Sequence, residues 1–101
     1  MAEIIIHNKF KAKMDLRGHS MIGVTFDEPN EEFIRFYTYW CEFEYRKQFP
    51  SSVIGILDDG TKLEFFGCFP GTLTDLVRND PDMRYFRIIF DHYKIIYNGE
   101  V

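Results

Sequence analysis

The 101-residue chain has little cysteine, four prolines and a single tryptophan, and no apolar run approaching the length of a membrane span. Cys41 and Cys68 have neither CxxC nor metal-ligand spacing, so they do not form a redox pair, a zinc ribbon or a disulfide framework; they read as small apolar core residues of a reduced intracellular protein. His7, His19 and His92 lie far apart and share no ligand spacing. Ser20, Ser51 and Ser52 sit in no nucleophile elbow, and the glycines are too scattered to cradle a phosphate. Asp58 and Asp59 are not an acid–base pair, because Gly60 follows them and makes them turn residues. The start, Met-Ala-Glu-Ile-Ile-Ile, lacks the basic opening of a signal peptide. No catalytic residue, cofactor, metal or small-molecule substrate is therefore expected. The formal net charge of −4 weighs against a specific nucleic-acid-binding surface.

What the chain does have is apolar and aromatic bulk: 46% hydrophobic residues, with eleven Phe and six Tyr. That is enough to fill the core of one domain spanning residues 1–101. The charge is uneven. Lys9, Lys11, Lys13 and Arg17 outnumber Glu3 and Asp15 in the opening stretch, while the remainder is acidic. Such an arm suits either a solvated strand face or an inter-subunit contact, and these four residues are the candidate interface.

The period of the apolar residues gives the elements. Ile4-Ile5-Ile6 favours a strand, and Lys9 to Met14 alternates strictly, with Phe10, Ala12 and Met14 on one face. A turn at Asp15–Ser20 and a strand at Met21–Phe26 complete an opening hairpin. Asp27 or Asn30 caps a helix over about residues 30–48, with Phe33, Phe36, Tyr37, Trp40 and Phe43 as its core stripe and Arg46 and Lys47 in its last turn. Trp40 is expected to anchor this helix on the sheet. Asp59-Gly60 between two apolar runs reads as a hairpin with a type I′ turn, Gly60 at positive φ. Gly67-Cys-Phe-Pro70 is a bend; residues 72–77 fit a short strand or a turn. Phe86, Ile88 and Phe90 alternate on a closing strand or strand pair, with a bulge at Asp91-His92. The order β-β-α-β-β-(β)-β points to an α+β, mostly β fold: an antiparallel β-sandwich or open barrel with one flanking α-helix.

The segment from Ile54 through the Asp59-Gly60 turn, the Gly67-Cys-Phe-Pro70 bend and the strand Phe86-Arg-Ile-Ile-Phe90-Asp-His-Tyr93 resembles the C-terminal part of contractile-phage tail tube proteins. Tyr39-Trp40 is similar to the aromatic-Trp pair on the helix of that family. The resemblance covers roughly residues 21–97 and implies a single tail-tube-like domain in which Trp40, Gly60, Gly67, Pro70, Phe86 and Phe90 are structural residues. It further implies a non-enzymatic subunit of a phage tail tube or baseplate. Such a subunit forms a homo-oligomeric ring, six-fold in that family, meets other tail or baseplate proteins, and admits DNA only as passing cargo. It belongs to the virion tail, assembled in the host bacterial cytoplasm. A small α+β binding or regulatory adaptor is the alternative expectation.

Overall fold

The computed structural model describes residues 2–42, 49–72 and 74–99, leaving aside the side chains of Thr74, Asp75 and Arg78. It contains β1 (Glu3–Ile6), β2 (Phe10–Arg17), β3 (Met21–Thr25), α1 (Glu31–Glu42), β4 (Val53–Ile56), β5 (Lys62–Phe66), β6 (Phe69–Pro70), α2 (Thr74–Asn79), β7 (Tyr85–Ile89) and β8 (His92–Tyr97). All eight strands join one antiparallel sheet of order β6-β7-β3-β2-β1-β4-β5-β8, which is not closed. The fold class is thus the expected α+β, mostly β arrangement.

The sheet curls because two of its strands are bent continuations of their neighbours in sequence. β6 follows β5 across Gly67-Cys68, and β8 follows β7 across Phe90-Asp91. Phe66 lies opposite His92, and Phe69 opposite Ile89. The two bends face each other, with the Asp91 N–H donating to the Phe66 carbonyl at 2.9 Å. Gly67 is the pivot: its φ is +65°, and a Cβ there would stand 2.7 Å from that of Asp91. An L side chain is therefore disfavoured at this position both by backbone and by space.

The inward faces follow the alternation in the sequence. Ala12 and Met14 of β2 are buried while Lys11 and Lys13 are exposed, and Phe86 and Ile88 of β7 are buried while Arg87 and Ile89 are exposed. Onto these faces α1 lays Phe33, Tyr37 and Trp40, all fully buried. Phe33 touches the sheet most directly, its ring 5.1 Å from Phe10, 4.7 Å from Phe26 and 4.8 Å from Phe86. Trp40 is buried in the same core cluster as the sheet residues, its ring 5.7 Å from Tyr37 and 6.4 Å from Phe36 and Phe49. Asn30 caps the helix: its Oδ1 accepts the Phe33 N–H at 3.0 Å. Asp27, the other candidate cap, instead pairs with Lys13. Glu31 and Glu32 occupy the first turn, where the helix dipole favours them. Phe43, Arg46 and Lys47, and the expected helix end near residue 48, lie outside the described residues.

Three expectations need correction. The stretch from Ile4 to Met14 is not continuous strand but a hairpin, turning at His7–Lys9. His7 and Asn8 both have positive φ, the geometry that a type I′ turn requires, with the Lys9 N–H donating to the Ile6 carbonyl. No glycine marks this turn; it is fixed from outside, by the Ser51 N–H on His7 Nδ1 and Ser52 Oγ against Asn8 Oδ1. The Asp58–Gly60 turn, conversely, is not type I′. Gly60 has φ +88°, whereas Asp59 is not among the positive-φ residues. The Gly60 N–H donates to Leu57 O and the Leu57 N–H to Thr61 O, which makes a three-residue loop closed by glycine. Asp59 Oδ1 accepts the Thr61 N–H, and that bond holds its carboxyl below the ordinary aspartate range. Residues 74–79 form a short helix, α2, rather than a strand or turn, so α1 is not alone. Of the closing strand or strand pair expected, the structure has the pair, β7 and β8, in different parts of the sheet.

Candidate assembly surface

The residues proposed from sequence for an interface do not stand as free cations. Lys9 pairs with Glu32, Lys11 with Glu3 at 3.3 Å, Lys13 with Asp27 at 2.8 Å and Arg17 with Asp15 at 3.0 Å. All eight side chains are substantially exposed, so these pairs are weak and salt-screened. The basic run is nevertheless largely neutralised within its own chain. Nothing on β2 then presents a bare positive field to a neighbour.

The surface feature that sequence reading missed is β8. Its inner neighbour is β5, and among the described residues no strand pairs with its outer side. Tyr93 lies opposite Phe65 and Ile95 opposite Leu63, so they share the face on which Phe65 and Leu63 are buried. Yet every residue of β8 is exposed: Tyr93 by 51%, Ile95 by 61%, Ile96 by 48% and Tyr97 by 56%. A strand edge of this kind carries unpaired N–H and C=O groups beside apolar side chains, which is a template for another strand. Lys94 is its one full cation, lying with Nζ 5.6 Å from the centre of the Phe66 ring, and the His92 ring stacks on Phe66 at 5.0 Å.

A groove beside β5 is lined by Phe49, Pro50, Val53, Phe65, Cys68 and Phe69 among others. Burial pushes the Cys68 thiol up to about 12, so it stays protonated and is a poor nucleophile near neutral pH. Both cysteines are thiols outside any disulfide, and Cys41 Sγ donates to the Thr72 carbonyl at 3.9 Å. The His7 ring packs against both Phe36 and Phe49, its centroid 5.2 Å from each. Among the described residues, no three His, Cys, Asp or Glu side chains converge as a metal site, and no helix is long and apolar enough to cross a membrane. Of the predicted structural residues, Trp40, Phe86 and Phe90 are buried in one core cluster, Gly60 and Gly67 take positive φ, and Pro70 ends the bend on β6.

The class this geometry defines is an α+β domain on a curled antiparallel sheet with one long, apolar edge that is unpaired among the described residues. No family model, no curated protein and no solved structure matches the chain.

Proposed function

We propose that this chain is a non-enzymatic structural subunit of a bacteriophage tail tube or baseplate, assembling with copies of itself into a ring around a channel and meeting other tail or baseplate proteins. The observation that carries the reading is the bare apolar edge of β8, with Tyr93, Ile95, Ile96 and Tyr97 all about half exposed or more. A monomer leaves that edge wet, whereas an assembly subunit has a neighbour to cover it. The tail-tube resemblance adds support from a second direction. Its Gly67-Cys-Phe-Pro70 motif is the bend of the β5–β6 strand, and the Phe86–Tyr93 motif crosses that bend as β7 and β8. The net charge of −4 suits a channel through which DNA passes without sticking. The virion tail, assembled in the bacterial cytoplasm, is the corresponding location.

The groove beside β5 favours a second reading, a small binding or regulatory adaptor that holds one partner there as a monomer. Light scattering on the purified protein over a concentration series, with negative-stain images at the top of that series, separates the two. Closed rings with a central channel are expected. A monomer at every concentration overturns the structural-subunit reading in favour of the adaptor.

A further inference from the structure

We propose that the outward face of β7 around Arg87 docks a second copy of this chain, through the turn of that copy that carries Asp82. The face is mapped by register. Ile89 stands opposite Met21 of β3 on one side and Phe69 of β6 on the other, so the three form one row. Ile89 and Phe69 are exposed, whereas Phe86 and Ile88 on the other face of the strand are buried. In the next row Arg87 lies opposite Gly23, and a Cβ on Gly23 would stand 3.1 Å from the Tyr85 hydroxyl oxygen. The Tyr85 ring therefore occupies the space that Gly23 leaves, and the Arg87 guanidinium carbon lies 5.9 Å from its centre. Unlike the lysines of β2, Arg87 forms no ion pair among the described residues. An exposed arginine beside aromatic and apolar side chains has the composition of an interface centre.

Charge names the occupant. A cation without a partner, set in apolar surface, calls for a carboxylate that also has apolar surface around it. This chain carries one in the turn that enters β7. Asp82 is exposed and pairs with no cation among the described residues. Arg84, the cation nearest to it in sequence, donates to the Asp27 carbonyl at 3.3 Å instead. The turn is held by Asp80, whose Oδ1 accepts the Asp82 N–H at 3.0 Å and whose carbonyl accepts the Met83 N–H at 3.2 Å. Pro81 within the turn and Leu76 on α2 just before it are both exposed and supply the apolar part. Each copy carries a formal charge of −4, so copies repel at a distance, and a local pairing of opposite charges decides which surfaces meet. The patch and the turn are different surfaces, so the contact is heterologous and repeats from copy to copy.

The proposal rests on the structural-subunit reading for the identity of the partner, a second copy. The test is a charge exchange in the full chain. Arg87→Glu and Asp82→Lys are made singly and together, and association is followed by sedimentation velocity over a concentration series. Both side chains are exposed and neither holds the fold through a hydrogen bond, so each variant is expected to fold, which circular dichroism checks. Each single change sets like charges against each other and is expected to weaken association about tenfold or more. The doubly substituted chain restores the opposite charges and is expected to recover association, as is a mixture of the two single variants. Unchanged association in Arg87→Glu, or a double variant no better than the singles, overturns the contact. Rings that persist by negative stain in every variant leave the ring reading standing and this contact overturned. Association that follows the charge exchange but never closes into rings does the reverse. A parent that stays monomeric at every concentration overturns both.

Discussion

β7 and β8 are two halves of one run of chain with nearly the same sequence pattern. Tyr85-Phe86-Arg87-Ile88-Ile89 and Tyr93-Lys94-Ile95-Ile96-Tyr97 each combine aromatics, one cation and paired isoleucines. Their environments differ completely. β7 is hydrogen-bonded on both sides, to β3 and β6, and its Phe86 lies beneath the Phe33 and Tyr37 rings of α1. Among the described residues β8 has β5 on one side only, and no part of it is buried. The same composition therefore serves as core in one place and as open edge in the other. What decides is whether a second layer covers the strand, and for β8 the proposed second layer is another subunit.

The largest effect that this contrast predicts is between Phe86 and Tyr93. Phe86→Ala removes a fully buried ring and should cost about 3–5 kcal/mol in urea unfolding. Tyr93→Ala, measured in the dilute protein, should cost less than about 1 kcal/mol. Similar losses would mean that β8 is as well covered as β7.

Next comes the tie between α1 and the covered half. The Tyr37 hydroxyl donates to the Arg87 carbonyl at 2.5 Å and accepts the Thr72 N–H at 2.9 Å. Burial pushes its pKa up to about 12, against an ordinary value of 10.0. A raised pKa means that the folded state holds the phenolic proton more tightly than the unfolded state does. The contribution is therefore fully present below about pH 10 and is lost as pH rises through about 12, an effect on the order of 2 kcal/mol. Denaturation followed from pH 9 upward should show that loss in the parent and a flatter profile in Tyr37→Phe. A parallel decline in both would assign the loss to other groups.

At the junction of the two halves, Gly67→Ala should cost roughly 1–2 kcal/mol for the left-handed backbone alone, and more if Asp91 cannot move. Thermal melting checks this; a neutral result would place the pivot elsewhere. The smallest effect belongs to the basic run. Replacing Lys9, Lys11 and Lys13 together with Glu sets each against Glu32, Glu3 or Asp27. The loss should be about 0.2–1 kcal/mol per exposed pair and should shrink in high salt. An assembly defect in that variant, with the fold unharmed, would return the interface to β2.

Much of the fold was legible because burial on one face imposes a period of two. Phe10-x-Ala12-x-Met14 and Phe86-x-Ile88-x-Phe90 announce their inward faces, and Asn30 before Glu31 and Glu32 announces a helix start. The His7-Asn8 turn was not legible, since neither residue is a glycine and the contacts that hold it come from Ser51 and Ser52, 44 residues away. Nor was α2, whose six residues are too few to stand as a helix without the tertiary structure around them. The site was harder still. A strand reads the same whether its apolar face meets a core or open water, so the residues of β8 looked like closing core. The lysines looked like a free arm because Glu32 and Asp27 reach them only in the folded chain.

Amide hydrogen exchange on β7 and β8, run at low and high protein concentration, tests most directly whether β8 is an edge awaiting a partner. The β7 amides should be protected at both concentrations. The outward-facing amides of β8 should exchange rapidly when dilute and slow markedly when concentrated. Protection of β8 already in dilute monomer, or rapid exchange that concentration does not change, would contradict the assignment of that edge to assembly.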